Sequence, residues 1–302
     1  MISSGFFFGR IMKEKVAIQG IAGSFHHQVA REYFGNEVEV EECMSFQAVI
    51  DSLLSGSSEK AVMAIENSIA GSILPNYALI DDNNISITGE HYIPIQMNLM
   101  AVPGQEISGI KKVYSHPMAL LQCKEFFKDH PHIKLIEDAD TASVAKRISE
   151  NGKIGVAAVA SSAAAELFEL EIIERNIHTV KSNTTRFLIL SAKEEEQETS
   201  KTDKASFKFV MESRQGSLVT ALNILRDYDL DMTKIQSVPV IEMPWKYAFF
   251  IDVVFAEQKK FRKAMEILEM MTEQLKVLGA YKSRYAASEV IANEKKIGAG
   301  VA

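Results

Sequence analysis

Three short runs of small and β-branched residues near the N-terminus, at 16–18, 38–40 and 61–65, are separated by two stretches with helical spacing of apolar residues, one ending at Phe34 and one spanning 46–54. Strand-length apolar runs that alternate with amphipathic stretches build βαβ units, because parallel strands can be joined only by a crossover long enough to hold a helix. This alternation constrains the fold more than any other feature of the chain. It returns with strands expected at 112–114, 133–136 and 154–156 and helices starting near Pro117 and Thr141. The expected fold class is therefore α/β, in two lobes. Residues 85–102 read as extended strands between the lobes and 187–190 as a final strand after the second, so that chain crossings join them. In open α/β sheets a ligand binds outside the carboxyl ends of the strands, which places the expected cleft between the lobes.

The alternation stops at 193–204 (KEEEQETSKTDK), where eight of twelve residues are charged and none is aliphatic, the composition of a solvated linker. Beyond it, strand patterns at 207–211, 232–242, 247–255 and 275–281 and helix patterns at 217–226 and 261–271 follow in the order βαββαβ, the ferredoxin-like arrangement. A hairpin is expected around Met243, Pro244, Trp245 and Lys246. The expected organisation is a disordered leader at 1–13, a two-lobed unit at 14–192, the linker at 193–204, a second domain at 205–283 and a mobile tail at 284–302.

A net charge of −7 with scattered lysines and arginines leaves no basic stripe for a nucleic acid or an acidic membrane. Cys43 and Cys123 are far apart and lack CxxC or His-rich spacing, which argues against a disulfide framework or zinc and fits a reducing cytosol. The run Phe6, Phe7, Phe8 is too short for a signal-peptide core, and no apolar stretch reaches the roughly 20 residues that span a bilayer. His26 and His27 are adjacent and His130 and His132 flank a proline, spacings that gather no metal. A small-molecule ligand is expected.

Four polar clusters fall at the ends of expected strands. Residues 20–25 (GIAGSF) lie between a strand and a helix, where glycines permit a tight turn, Ser24 suits the N-cap and free backbone N–H groups suit an anion. Residues 65–71 (IENSIAG) end a strand in Glu66, Asn67 and Ser68, within which a helix is expected to start; taken by itself, capping by Asn67 or Ser68 is the favoured account of them. Ser115, His116 and Pro117 leave a strand and open a helix. Asn183, Thr184, Thr185 and Arg186 enter the strand that begins at Phe187. Each cluster alone reads as a cap or a strand edge; their order along one interlobe cleft is what points to a site.

Taken together, these residues resemble the prephenate dehydratase family over about 15–281. The family's N-terminal glycine turn corresponds to 20–25, its IENS segment to 65–71, its SHP…QC segment to 115–123, its DTA helix start to Asp140, Thr141 and Ala142, and its TRF motif to Thr185, Arg186 and Phe187. The chain departs from the family's pattern at Ile21, His26, Met118 and Gln215, where proline, serine, glutamine and proline are usual. The resemblance implies a periplasmic-binding-protein-like catalytic unit followed by an ACT regulatory domain, with prephenate losing carbon dioxide and water to give phenylpyruvate in phenylalanine biosynthesis. An aromatic ring forms in that step, so the driving force lies in the substrate and no cofactor is called for.

The same resemblance implies that Thr185 hydrogen-bonds the departing ring hydroxyl. A threonine is a poor free acid, so orientation and a water-poor cleft must carry much of the catalysis. Ser24, Glu66, Asn67, Ser68, Ser115, Gln122, Arg186 and Phe187 are the implied substrate-binding residues. Neutral donors are expected near the departing carboxylate, because a cationic clamp would stabilise the ground state. Glu212, Ser213, Arg214, Gly216, Ser217 and Leu218 resemble the family's effector segments, which implies phenylalanine as effector and a homodimer or homotetramer. Three rivals stay open: an arogenate dehydratase, a non-catalytic amino-acid sensor, and one half of a bifunctional enzyme, against which the lack of a helical mutase-like segment before Val16 argues.

Overall fold

A computed structural model describes residues 14–193, 202–211, 214–240 and 246–284. The expected leader, most of the expected linker, the hairpin tip at 243–245, Glu212, Ser213 and all but the first residue of the expected tail lie outside the described residues.

The chain begins with β1 (Lys15–Gln19), α1 (Phe25–Phe34), β2 (Glu39–Cys43), α2 (Phe46–Ser55), β3 (Lys60–Asn67), β4 (Gly71–Ser72), α3 (Leu74–Asp82) and β5 (Ser86–Pro94). It continues through β6 (Asn98–Ala101), β7 (Lys112–Ser115), α4 (Pro117–Gln122), α5 (Lys124–Lys128), β8 (Lys134–Glu137), α6 (Thr141–Asn151), β9 (Val156–Ala160), α7 (Ser162–Leu167), β10 (Glu171–Glu174) and β11 (Thr184–Ser191). The last part holds β12 (Lys204–Val210), α8 (Ser217–Asp227), β13 (Asp231–Pro239), β14 (Tyr247–Val254), α9 (Gln258–Met271) and β15 (Gln274–Tyr281).

Three sheets result. The first has the order β2-β1-β3-β11-β5, with β4 added to β3; the second has the order β10-β6-β9-β7-β8. The expected crossings are there: the chain leaves the first sheet after β5, builds the second, and returns as β11, antiparallel to both β3 and β5. Local chemistry marks the boundaries. Ser24, Ser45, Asp140 and Ser161 accept from backbone N–H groups at the starts of α1, α2, α6 and α7. Gly152 closes α6 in the left-handed conformation, so β9 starts at Val156, two residues later than the apolar run from Ile154 implied.

The helix expected to start within residues 66–68 does not form there. Asn67 ends β3, and its Oδ1 accepts from the N–H groups of Ile69 at 3.0 Å and Ala70 at 2.9 Å, closing a tight turn into β4. The helix begins only at Leu74, with Pro75 in its first turn, where a missing N–H costs nothing.

The third sheet is antiparallel with the order β13-β14-β12-β15, and its elements follow the expected βαββαβ order. Phe207, Phe209, Leu225, Phe261 and Leu268 form the core between this sheet and its two helices. Its opposite face packs on the first sheet, where Phe250, Leu278 and Tyr281 join Ile65, Ile80 and Leu188 in one buried cluster. Contact there is close enough to require a glycine: a Cβ on Gly279 would lie 2.0 Å from the Ile87 carbonyl oxygen. Gly279→Ala is expected to destabilise the fold by about 2 kcal/mol through this overpacking. Urea unfolding would show it as a lower midpoint, and an unchanged midpoint would mean that the sheets separate freely.

Candidate active site

A cavity of about 400 Å³ lies between the strand ends of the first and second sheets. From the first it takes Gly20 and Ser24 of the turn after β1, Phe25 and His26 at the start of α1, Phe46, and Ala64 and Asn67 of β3. From the second come His116, Met118 and Gln122 around α4 and Asp140 and Thr141 at the start of α6, while Thr185 and Phe187 of β11 complete the wall. The two sides touch at Gly23, whose carbonyl accepts from Ser161 Oγ at 2.8 Å and whose absent Cβ would press on Ala164 at 3.2 Å.

Strand alternation sends Thr185 and Phe187 into the cavity and Arg186 to the other face. On β3 the matching step is three residues, Ala64 to Asn67. Thr185 pairs with Asn67 and Arg186 with Glu66, but Phe187 pairs with Ala64, so Ile65 is the extra residue of a β-bulge. Without that bulge Glu66, and not Asn67, would share the face of Ala64.

The bulge brings Asn67 Nδ2 to 2.9 Å from Thr185 Oγ1 and 2.7 Å from Asn183 Oδ1. The direction of these bonds is fixed. Asn67 Oδ1 is held by two backbone N–H groups, which only donate, so its amide nitrogen must face Thr185. Thr185 therefore accepts from Asn67 and keeps its own proton to donate into the cavity. The same logic runs outward: Asn183 accepts from Asn67 and donates to Gln122 Oε1 at 3.1 Å, which leaves the Gln122 amide N–H groups as donors beside the cavity.

Neither lysine nor arginine is found among the described residues lining the cavity. Asp140 is the single carboxylate there, and it accepts from Ser143 N at 2.7 Å and Ser143 Oγ at 2.5 Å as the cap of α6. The N-terminus of α1 opens on the cavity at Ser24 and favours negative charge there, whereas at the N-terminus of α6 the Asp140 carboxylate already occupies that role. Among the described residues there is no cluster of His, Cys, Asp and Glu that could hold a metal.

The family model described as "PDT: Prephenate dehydratase" matches residues 16–195. A bifunctional chorismate mutase/prephenate dehydratase from Enterobacter agglomerans is 34% identical over 274 residues, covering 89% of this chain and 70% of that protein. The chain belongs to the prephenate dehydratase family. Its reaction is the loss of carbon dioxide and water from prephenate to give phenylpyruvate. An arogenate dehydratase/prephenate dehydratase from Arabidopsis thaliana is 32% identical, covering 89% of this chain and 72% of its own. Among solved structures, one described as GqqA, a novel type of quorum quenching acylase, has a TM-score of 0.82 and 28% identity over 90% of this chain and 99% of its own. A prephenate dehydratase from Arthrobacter aurescens in complex with L-Phe has a TM-score of 0.80 at 20% identity, over 94% of this chain and 98% of its own.

Of the residues that sequence reasoning placed at substrate, Ser24, Asn67, Gln122, Thr185 and Phe187 line the cavity and four others do not. Glu66 is sent backwards by the bulge and pairs with Lys234 at 2.6 Å. Arg186 is spent on Glu90, Asp252 and Tyr281. Ser68 ties β4's turn to Ser182 and Thr184, and Ser115 is buried with its hydroxyl on the Val159 carbonyl at 2.6 Å. His26 lines the cavity as well, a place the sequence marks only as a departure from the family's pattern, while Asn183 is buried and joins Asn67 to Gln122 without lining the cavity itself.

His26 is buried edge-on against Phe187, with ring centroids 5.0 Å apart, and its Nε2 accepts from the Ala64 N–H at 3.3 Å. The ring is therefore neutral with its proton on Nδ1, and burial lowers its pKa from 6.5 to about 3. Because the folded pKa lies below the unfolded one, the unfolded chain binds the proton first on acidification. The stability this ring contributes is whole above pH 6.5 and drains away as pH falls towards 3. Compared with His26→Phe, the wild type is expected to lose about 1 kcal/mol more stability per pH unit between pH 6 and 4. Parallel urea-unfolding profiles for the two proteins would contradict this.

Proposed function

We propose that Thr185 donates its hydroxyl proton to the ring oxygen of prephenate as that oxygen departs, and that Asn67 is the group that aims it. The observation that carries this reading is the fixed direction of the Asn67-to-Thr185 hydrogen bond. In the step, the ring C–O bond breaks and the oxygen leaves as water with the proton from Thr185. The bond to the ring carboxylate breaks at the same time; its electron pair enters the ring, carbon dioxide departs, and solvent returns the proton to Thr185. A cavity lined by neither lysine nor arginine among the described residues leaves the departing carboxylate poorly solvated, which favours its loss over its binding. Ser24, Gln122 and the N-terminus of α1 hold the substrate through neutral donors, and Phe187 with His26 forms the apolar wall for the ring.

Prephenate fits better than arogenate because an ammonium group needs an acidic partner, and Asp140, the single carboxylate on the cavity among the described residues, is engaged at both oxygens by Ser143. The Arabidopsis relative, described as an arogenate dehydratase/prephenate dehydratase, supports the arogenate reading.

We read 14–192 as the two-lobed, binding-protein-like catalytic unit and 205–283 as an ACT regulatory domain of a cytosolic homodimer or homotetramer that binds phenylalanine. Support comes from the βαββαβ order, from the L-Phe complex of the Arthrobacter protein, and from a second cavity of about 400 Å³ at the start of α8. Arg214, Ser217 and Thr220 line it beside Met270 and Met271, a mixture suited to an amino acid with an apolar side chain. Gly216 caps the helix with φ of 86°, which frees backbone N–H groups for a carboxylate, whereas Leu218 packs into the core.

Thr185→Val is expected to lower kcat for phenylpyruvate formation by about 10²- to 10⁴-fold with KM changed by less than about 3-fold. Phenylalanine is expected to inhibit the wild type. A variant with wild-type kcat would refute the assignment of Thr185, and faster turnover of arogenate than of prephenate would overturn the choice of substrate.

A further inference from the structure

Behind the cavity, the cross-strand pair Glu66 and Arg186 on β3 and β11 faces a second cross-strand pair, Lys234 and Asp252 on β13 and β14 of the third sheet. The charges are complementary corner to corner. Lys234 Nζ lies 2.6 Å from Glu66 Oε1, and Asp252 binds the guanidinium of Arg186. Lys234 also donates to Ser72 Oγ at 2.8 Å, so it bridges both arms of the β3–β4 turn that Asn67 closes. A register shift between Met232 and Lys234 on β13 and the bulge at Ile65 on β3 aim these side chains at each other. The next cross-strand pair along β3 and β11 is Asn67 and Thr185.

We infer that Lys234 and Asp252, which lie outside the cavity, are positioning residues for catalysis: by holding Glu66 and Arg186 they set the separation of Asn67 and Thr185, and thereby where the Thr185 proton points. This rests on the reading of Thr185 as donor to the departing oxygen. Two details fit a joint that can shift. A void of about 10 Å³ is lined by Arg186, Asp252 and Tyr77 among other residues, and Lys234 Nζ lies over the Tyr77 ring, 5.8 Å from its centre. Any change in how the third sheet seats on the first therefore reaches the catalytic pair one residue away, with no contact between an effector and the cavity.

The test uses Lys234, because Glu66 is partly exposed and tolerates the loss of its partner, whereas Asp252 is buried and its loss threatens folding. Lys234→Met and Lys234→Arg would be assayed with prephenate in the wild-type and Thr185→Val backgrounds. Hydrogen exchange at the segments holding Asn67 and Thr185 would be measured in parallel. Lys234→Met is expected to lower kcat about 10- to 100-fold with KM within about 2-fold, the size of effect that a misplacement near 1 Å produces. Lys234→Arg should restore most of the rate, and Lys234→Met should have no further effect once Thr185 is valine. Wild-type kcat in Lys234→Met, or an equal loss in both backgrounds, would overturn the inference. If the wild type itself makes no phenylpyruvate, the reading of the reaction fails. The exchange data then decide the joint alone: faster exchange at both segments in Lys234→Met supports it and unchanged exchange refutes it.

Discussion

The antiparallel pairing of β11 with β3 is the contact on which both the site and the joint behind it depend. β11 is the strand by which the chain returns from the second sheet to the first, so its register is set by long-range closure and by no local turn. Its two faces carry opposite chemistry. One presents a hydroxyl and an aromatic ring to a cavity that no described lysine or arginine lines; the other presents a guanidinium to a buried, hydrogen-bonded set of ions. A slip of one residue would exchange them, putting Arg186 against the substrate carboxylate and Thr185 among charges.

The ionic side is what makes such a slip costly. Arg186 and Lys204 are both buried, and Glu90 and Asp252 balance them, with Ser206 and Tyr281 filling the remaining hydrogen bonds. Burial alone would raise the Asp252 carboxyl pKa, but the charges of Arg186 and Lys204 hold it below the usual carboxylate range. Burial, followed by the charge of Arg186, lowers the pKa of Lys204. A network of this kind adds little net stability over apolar packing, yet losing one member leaves an uncompensated charge worth about 3–5 kcal/mol. Its effect is to single out one register and one seating of the third sheet.

Much of this was legible in the sequence. The βαβ alternation, the crossing strands and the βαββαβ order follow from local periodicity, and motif resemblance marked Thr185, Asn67, Ser24, Gln122 and Phe187. What periodicity does not carry is a bulge. One extra residue at Ile65 turns Glu66 from the cavity to the back and lets Asn67 take its place, and no local signal distinguishes those outcomes. The place of Arg186 is hidden from the sequence for a related reason: its partner Asp252 is 66 residues away, on an element whose position depends on the completed fold. His26 shows the converse case, where a departure from the family's pattern fills the cavity wall with a neutral aromatic ring.

With Thr185 as the proposed proton donor, Asn67 acts on the reaction through the direction of its bond to Thr185. Asn67→Asp tests it most directly: the carboxylate still accepts from Ile69 and Ala70, but its second oxygen draws the Thr185 proton away from the substrate. The measurement is kcat for Asn67→Asp, Thr185→Val and the double variant. If Asn67 works through Thr185, both single variants lose kcat and the double variant is no slower than Thr185→Val. Multiplying losses in the double variant, or an Asn67→Asp enzyme as fast as the wild type, would contradict the account.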